Sequence, residues 1–435
     1  MFFLRANRSV FGFALLSLMV GIGSFPRAEE LTIEIDGGSV EALPIAIVPF
    51  QFPTEFLGDP AEIIRSDLTI TGKFVTLAKE NMISKPTVFS EINFKDWRLL
   101  GVENLLIGSI ARAADGLALS FSLIDVFRES ELLKRRIPIS EVNFRIASHH
   151  ISDLIYLELL GKKGDFSTKI AYVVFEALAG EYQLVVADSD GYNPRPVFRS
   201  SEPILSPAWS PDGGSLAYVS FEDGRSAVFV QDLETGSRRK IRLGSGITGS
   251  PAFSPNGNRL VLTSSRDGNP NLYIYNLLDG SSKQITSHRA IDTEGSWSPD
   301  GRGLVFTSDR GGGAQIYYID LITSKAKRLT FDMGSYNANA EYSHDGKSIV
   351  LISRGGRGHR VSVLDLSKQK WRFLSDSILD ESPSFSPNGD MVIYSSRVGK
   401  FSKLIALSTD GSMASRKFTL GQGEIREPAW GPRTD

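Results

Sequence analysis

The stretch PAWSPDG at residues 207–213 recurs through the second half of the chain and decides its architecture. It returns as PAFSPNG at 251–257, GSWSPDG at 295–301, AEYSHDG at 340–346 and PSFSPNG at 383–389, with a shortened copy, PAWGP, at 428–432. The aromatic residues therefore fall at 209, 253, 297, 342, 385 and 430, at spacings of 44, 44, 45, 43 and 45 residues. A nearly constant period of this length is typical of a repeat architecture.

Each copy opens a unit of four short strand-like runs separated by turn residues. Four strands per period of about 44 residues predict one blade of a β-propeller. Residues 170–188 carry strands without the aromatic repeat, and the copy at 428–432 carries the repeat without the following strands. Together they complete one blade, so we predict six blades, closed by pairing of the C-terminal strand with the first blade. We interpret the repeated aromatic residues as packing anchors between blades.

The sequence pattern before the propeller predicts a separate, smaller domain. Residues 44–160 mix strand and helix patterns, including a helix over 60–70 with Asp59 as its N-cap and a helix over 144–160. We expect Ile146, Leu154, Ile155 and Leu159 to form the buried face of the second helix. Residues 161–168 read as a linker and 169–435 as the propeller. The predicted fold is an N-terminal mixed α/β domain followed by a six-bladed β-propeller.

The sequence pattern of the first 28 residues predicts that the protein is exported. Arg5 and Arg8 precede an apolar run at 10–22 that is too short to cross a bilayer, so 1–28 is typical of a secretory signal peptide. Cleavage after Ala28 is expected, with cleavage after Ser24 as the alternative. In the following segment, 29–43, apolar residues alternate with polar ones. This pattern fits an edge strand of the first domain, or a mobile tail that adds a strand to a partner.

The composition and the motifs of the sequence give no indication of catalytic activity. The net charge is −2 and there is no cysteine, so nothing indicates nucleic-acid binding, disulfides or thiolate metal sites. The sequence contains no Gly-x-Ser-x-Gly nucleophile motif, P-loop or dinucleotide fingerprint. His149 and His150 are adjacent on a helix, which favours a surface or half-buried role over metal ligation. We therefore predict no enzyme activity, cofactor or metal.

Charged residues recur near the expected mouth of the ring. Carboxylates precede the aromatic strands, at Asp292, Glu294, Glu341, Asp380, Glu381, Glu424 and Glu427. Arginines follow the second strands, at Arg266, Arg310, Arg354 and Arg397. A rim of both charges suits protein recognition, although an ordinary solvated surface fits as well. The alternative function is a glycan or peptide hydrolase or lyase that uses Asp292 or Glu381 in the channel.

The whole mature chain resembles the TolB family of the Tol–Pal system. The resemblance is carried by PIAIVPF at 44–50, KIAYVV at 169–174, the run 206–222, LDESPSFSPNG at 379–389 with MVIYSS at 391–396, and LSTDG at 407–411. It implies a periplasmic, non-enzymatic and monomeric adaptor without a membrane span. Such proteins support outer-membrane integrity and constriction at division, and bacteriocins exploit them during import.

The resemblance also implies two binding sites. The lipoprotein Pal would bind at the propeller mouth, through Leu205, Ser206, Ile247, Thr248, Thr293 and Glu294. The protein TolA would bind the mature N-terminal segment, through Glu29, Glu30, Leu31, Ile33, Ile35 and Asp36. Two departures stand out, because the family often has histidine where Ile247 stands and is less glycine-rich around Gly37 and Gly38.

Overall fold

The computed structural model describes residues 42–53, 58–114, 116–331, 334–354, 358–399, 401–411, 415–418 and 424–434. These ranges do not include the predicted signal peptide, residues 1–28. They also do not include the residues predicted to bind TolA, which are Glu29, Glu30, Leu31, Ile33, Ile35 and Asp36. Among the residues that are described, no helix has the length and hydropathy needed to cross a membrane.

The first domain is built on a five-stranded sheet of order β2-β1-β3-β4-β5, in which β1 runs parallel to β2 and β3 and the other pairs are antiparallel. Its strands are β1 (Leu43–Ile47), β2 (Phe74–Thr76), β3 (Asn104–Ala113), β4 (Gly116–Asp125) and β5 (Ser130–Ile139). Its helices are α1 (Pro60–Ile70), α2 (Phe94–Leu99) and α3 (Phe144–Leu160), with 3₁₀ turns at Lys79–Asn81 and Phe89–Glu91.

Helices α1 and α3 cover one face of this sheet. As predicted, Asp59 caps α1, and its carboxylate accepts the Ala61 N–H at 2.9 Å. The prediction for α3 was wrong in part, because the buried stripe runs through Ala147, Ile151 and Ile155 and leaves Ile146 exposed. These three residues follow each other at intervals of four, so they share the side of the helix that joins the core of α1 and the sheet.

The second domain is a ring of six four-stranded sheets, which confirms the predicted fold class. Blade 1 contains β6 (Lys169–Glu176), β7 (Glu181–Asp188), β8 (Arg195–Ser200) and, as its inner strand, β29 (Glu424–Trp430). Blade 2 contains β9 (Ile204–Trp209), β10 (Ser215–Ser220), β11 (Ala227–Asp232) and β12 (Arg238–Ile241). Blade 3 contains β13 (Thr248–Phe253), β14 (Arg259–Ser264), β15 (Asn271–Asn276) and β16 (Ser282–Gln284).

The remaining blades follow the same plan. Blade 4 contains β17 (Asp292–Trp297), β18 (Gly303–Ser308), β19 (Gln315–Asp320) and β20 (Ala326–Arg328). Blade 5 contains β21 (Asn337–Tyr342), β22 (Ser348–Arg354), β23 (His359–Asp365) and β24 (Lys370–Phe373). Blade 6 contains β25 (Asp380–Phe385), β26 (Met391–Val398), β27 (Phe401–Ser408) and β28 (Ser415–Phe418). The ring closes as predicted, because β29 pairs antiparallel with β6.

The repeated Ser-Pro-Asp-Gly motif forms the turn between the first and second strands of a blade. In blade 2 the Ser210 hydroxyl accepts the Ser215 N–H at 2.8 Å, and the Asp212 carboxylate accepts the Gly214 N–H at 2.9 Å. The glycine of every full copy has a φ between 68° and 74°, which L side chains rarely adopt. The motif therefore recurs because the turn needs a short acceptor side chain and a glycine.

The aromatic residue of the repeat joins neighbouring blades. The indole N–H groups of Trp209 and Trp297 donate, both at 3.1 Å, to the carbonyl oxygens of Ala429 and Ala252 in the preceding blade. These bonds support the interpretation of the repeat aromatics as packing anchors.

The two faces of the ring differ in their contacts. The turns after first and third strands form one face, which we call the domain face, because Asp190 and Asp390 there contact the first domain and Asn388 contacts the linker. Ile70 of α1 also belongs to a buried apolar cluster with propeller residues such as Met391. The loops before first strands and after second strands form the opposite face, which we call the mouth face.

Candidate protein-binding site at the propeller channel

A central channel of about 660 Å³ runs between the inner strands. The residue three positions before each repeat aromatic lines this channel and has a φ between 47° and 56°. These residues are Ser206, Ser250, Glu294, Asn339, Ser382 and Glu427. Positive φ is uncommon outside glycine, and here it accompanies a β-bulge, seen as a register shift, in every inner strand. The bulges direct one polar side chain per blade toward the channel.

Glu294 and Glu427 lie on opposite sides of the ring, in blades 4 and 1. The Glu294 carboxylate accepts the Asn339 N–H of the next blade at 2.9 Å and the Thr307 hydroxyl at 2.7 Å. The Glu427 carboxylate accepts the Ser206 N–H of the next blade at 3.2 Å. Burial raises the pKa of Glu427. Both glutamates therefore satisfy bulged backbone groups and stabilise contacts between blades.

A third channel carboxylate, Glu341, stands where the other blades have alanine or serine. Its Oε1 accepts the Phe385 N–H at 2.9 Å and faces the Ser384 hydroxyl at 3.4 Å. Burial raises the pKa of Glu341 to about 7, because these two hydrogen bonds do not compensate for the lost hydration. The charge of the channel wall therefore changes near neutral pH.

The prediction of a solvated carboxylate rim was wrong for Asp292 and Asp380, which are fully buried. Arg310 binds both oxygens of Asp292, at 2.8 and 2.9 Å, and serine hydroxyls donate to Asp380. The cause is the position itself, since the residue five before each repeat aromatic is at most 2% exposed in every blade. The six residues are Ile204, Thr248, Asp292, Asn337, Asp380 and Ile425. An alignment of the repeats would have indicated that this position is buried, because two of the six equivalent residues are isoleucine, an apolar residue.

The residues predicted to bind Pal lie at the mouth end of inner strands but differ in exposure. Leu205 and Ile247 are exposed, and Thr293 is half-buried. Ser206 and Glu294 line the channel. Thr248 is fully buried, and its hydroxyl accepts the Leu243 N–H at 3.1 Å. Thr248 can therefore hold its loop in place but cannot touch a partner in this conformation.

The mouth face carries exposed apolar residues, of which the sequence analysis named Ile247 but not Ile291, Phe331 or Ile378. The loops that lead into blades 3 to 6 each present one large apolar side chain between 47% and 74% exposed. These are Ile247, Ile291, Phe331 and Ile378. The sequence indicates this surface by a large apolar residue shortly before the inner strand of each of these four blades, at loop positions that are normally polar. Such side chains repeated around one opening mark an interaction surface.

A cluster of buried charges joins the two domains, and it corrects the expectation for His149. This side chain is fully buried rather than at the surface, with Nδ1 2.7 Å from Asp67 and Nε2 3.5 Å from Asp190 of the propeller. Burial alone would lower the pKa of His149, but the two carboxylates outweigh it and raise the pKa to about 10. Arg145 also pairs with Asp190. The imidazolium is therefore an ionic bridge between the domains.

Metal ligation is not indicated in the described part of the chain, which contains no group of three or more His, Asp or Glu side chains suited to an ion. Both oxygens of Asp292 are engaged by Arg310, which does not suit a general acid or base. The exposed apolar mouth suits binding of another protein.

Fold and site together define a class of protein: a six-bladed propeller with an N-terminal α/β domain and a polar central channel whose mouth carries exposed apolar side chains. Comparison with known proteins narrows this class. Residues 31–132 match the family described as the TolB amino-terminal domain, and residues 156–434 match the TolB beta propeller domain. The chain therefore belongs to the TolB family.

Full-length relatives carry the same description. The Tol-Pal system protein TolB of Nitrosococcus oceani is 53% identical over 427 residues, which are 96% of this chain and 97% of that protein. The Tol-Pal system protein TolB of Xanthomonas campestris pv. campestris is 47% identical over the same shares. The crystal structure of TolB from Acinetobacter baumannii superposes with a TM-score of 0.86 at 40% identity, covering 93% of this chain and 100% of that one.

Proposed function

We propose that this chain is a periplasmic protein-binding adaptor that binds the lipoprotein Pal at the mouth face and TolA through the segment 29–43. Membership of the TolB family supports a role in the Tol–Pal system. In this role the protein supports outer-membrane integrity and constriction at division, and bacteriocins can use the same sites for import. The segment 1–28 acts as a signal peptide, so mass spectrometry of the exported protein should find a chain that begins at Glu29 or, for the alternative cleavage, at Phe25.

The main support for a Pal-binding site at the mouth is a set of exposed apolar side chains, those of Ile247, Ile291, Phe331 and Ile378. They surround the opening that faces away from the first domain, so a partner can cover them without displacing that domain. Burying one such side chain stabilises a complex by roughly 1.5–3 kcal/mol. Charged residues beside them, such as Arg289 and Asp376, are exposed and can orient the partner.

Substitution of the mouth residues tests the Pal site. A soluble Pal domain would be titrated calorimetrically into the mature chain and into Ile247→Ser and Ile378→Ser. We expect each variant to bind at least about tenfold more weakly, which corresponds to about 1.4 kcal/mol. Leu278→Ser is the matched control, because Leu278 is at least as exposed, at 78%, but lies on the domain face. If the mouth variants bind as tightly as the unaltered protein, Pal does not bind these loops.

The TolA site rests on the alternating pattern of Leu31, Ile33 and Ile35, which can add a strand to a partner sheet. We expect a chain lacking residues 29–42 to lose TolA binding and to bind Pal with altered affinity. Titration of this truncated chain with each soluble partner measures both effects. Normal binding of both partners would show that the segment neither binds TolA nor communicates with the mouth.

A further inference from the structure

A cleft of about 460 Å³ opens on the domain face between blades 4 and 5, and we call it the blade 4–5 cleft. Every residue that lines it belongs to one of these two blades. The first domain contacts the domain face elsewhere, at Asp190 in blade 1 and at Asp390 in blade 6. The cleft is therefore formed by the propeller alone, on the face opposite to the proposed Pal site.

Blade 4 differs from the other blades at two paired positions beside this cleft. The residue at the position of Tyr318 is aliphatic in each of the other blades. These residues are Val186, Val230, Ile274, Val363 and Ala406. The position of Gly303 carries a side chain in each of the other blades. These residues are Lys169, Ser215, Arg259, Ser348 and Met391.

The two differences depend on each other. A Cβ atom on Gly303 would lie only 2.3–2.5 Å from ring and hydroxyl atoms of Tyr318. The phenol therefore lies across the bare backbone at the start of β18, where a residue with a side chain would displace it. This arrangement makes Tyr318 part of the cleft wall.

The wall on the blade 5 side also carries a tyrosine. Tyr342 is the repeat aromatic of blade 5, and the other five copies have Trp or Phe at this position. Tyr318 and Tyr342 pack against the same apolar cluster, which includes Val305 and Ile349. Neither hydroxyl has a hydrogen-bond partner in the described part of the chain. Burial raises the pKa of both phenols, so both can donate a hydrogen bond to a ligand at neutral pH.

Two further side chains supply hydrogen-bond acceptors. Asp300 Oδ1 accepts the Ser298 hydroxyl at 2.6 Å and the Arg302 N–H at 3.0 Å, and Oδ2 has no partner among the residues that the structure describes. Gln369 Nε2 donates to the Leu366 carbonyl at 2.9 Å, and its own carbonyl oxygen is likewise available. The cleft therefore combines donors and acceptors around aromatic rings.

This combination of groups indicates the class of ligand. The Lys327 ammonium already lies 5.4 Å from the centroid of the Tyr318 ring, so a cationic ligand would meet a like charge there. One lysine beside the carboxylates of Asp300 and Asp345 does not suit a phosphate either. A sugar fits, because its C–H face can pack on an aromatic ring while its hydroxyls both donate and accept. The volume is also within the range of about 300–1,000 Å³ that is typical of small-molecule sites.

We propose that the blade 4–5 cleft binds a short oligosaccharide of N-acetylated hexosamines. The N-acetyl group is favoured because two half-buried leucines, Leu329 and Leu366, line the cleft. Hydroxyl groups would cover these leucines poorly, whereas the methyl group of an acetamide removes apolar surface from water. A saccharide bound here leaves the mouth face free, so the propeller can hold a glycan and a protein partner at the same time.

Saturation-transfer NMR with the trisaccharide of N-acetylglucosamine, chitotriose in its fully acetylated form, tests the cleft. Irradiation of the mature protein should transfer saturation to the acetyl methyl protons, and a titration gives the dissociation constant. Cellotriose has the same linkage and number of sugars but no acetamido group. We expect it to bind at least about threefold more weakly, because it cannot cover the leucines.

Two variants of the protein locate the bound saccharide. Tyr318→Phe combined with Tyr342→Phe keeps both rings in the apolar cluster but removes both hydroxyls, and the dissociation constant should rise about fivefold or more. Gly303→Ser introduces the side chain that blades 2 and 5 carry at this position, as Ser215 and Ser348, and displaces the Tyr318 ring. It should weaken binding by a similar factor without removing any group from the cleft.

Tyr275→Phe is the matched control, because it removes a tyrosine hydroxyl of blade 3 that accepts a hydrogen bond from Arg239 at 3.0 Å, outside the cleft. It should bind the saccharide as the unaltered protein does. The inference is overturned if millimolar saccharide receives no saturation, if cellotriose binds equally well, or if the cleft variants bind like the control.

Two more titrations separate this site from other functions. Trilysine represents a basic peptide, and its binding in place of the saccharide, with loss of binding in the cleft variants, would also overturn the inference. The cleft variants should bind a soluble Pal domain as tightly as the unaltered protein, since the mouth lies on the opposite face. Failure of saccharide binding therefore leaves the proposed function intact, and failure of Pal binding leaves the cleft intact.

Discussion

Glu341→Gln should make the propeller more stable at alkaline pH and leave its stability unchanged in acid. Glutamine keeps an oxygen that accepts the Phe385 N–H but carries no charge into the half-buried channel wall. The shift of the pKa from 4.5 to about 7 corresponds to roughly 3 kcal/mol. Because solvent reaches part of the side chain, we expect a gain of about 1–3 kcal/mol in the free energy of unfolding at pH 8.

The sign follows from the raised pKa of Glu341 in the folded state. Below about pH 4.5 the carboxyl is protonated in both states, so glutamate and glutamine should give equal stability. Between pH 4.5 and about 7 the unfolded chain is ionised while the folded chain keeps its proton, so the unaltered protein loses stability as pH rises. Above this window the difference between variant and unaltered protein should remain constant.

Guanidinium denaturation followed by tryptophan fluorescence at pH 4.5, 6 and 8 measures the effect. Glu381→Gln is the matched control, because Glu381 is an exposed carboxylate of the neighbouring blade and its substitution should change little at any pH. If the Glu341→Gln protein is less stable than the unaltered protein at pH 8, or if its advantage does not grow with pH, the buried Glu341 charge does not destabilise the folded chain.

Three further substitutions test the contacts that hold the molecule together. His149→Ala should lower the free energy of unfolding by about 3–5 kcal/mol, because Asp67 and Asp190 lose the cation between them, whereas His150→Ala at the exposed neighbour should not. Trp209→Phe should lower it by about 1 kcal/mol through loss of the bond to Ala429. Asp292→Asn should lower it by about 2–4 kcal/mol, because Arg310 keeps its charge without a carboxylate, while Asp376→Asn on the same face should be neutral.

Denaturation midpoints of these variants, measured at pH 7, check all three predictions. Equal effects of His149→Ala and His150→Ala would contradict the buried ionic bridge. A Trp209→Phe protein as stable as the unaltered one would show that the indole bond contributes nothing to ring closure. An Asp292→Asn protein that matches its control would mean that Asp292 and Arg310 do not stabilise blade 4.

Most of the fold is predictable from the repeat. A period near 44 residues, two complementary half-units and the turn chemistry of the Asp-Gly pairs are enough to predict six blades and their closure. These signals are local, since turns and strand alternation depend on neighbouring residues. The cap at Asp59 is predictable for the same reason.

The environment of individual side chains is less predictable. His149 is buried because Asp67 and Asp190, distant in sequence, converge on it between two domains. Asp292 has the sequence context of a surface carboxylate, yet Arg310 closes over it in the folded blade. The bulges at Glu294 and Glu427 carry positive φ without glycine, so neither propensity nor alternation indicates them. Such features depend on long-range contacts, which a single sequence does not display.

A hydrogen-exchange footprint of a soluble Pal domain on the mature chain would show whether a partner covers the mouth face of the propeller. We predict slower exchange in the loops at 243–248, 286–293 and 374–380, and unchanged exchange in the domain-face turns at 276–282 and 320–326. Protection confined to the domain-face turns, or no protection anywhere at saturating Pal, would show that Pal does not cover the mouth face.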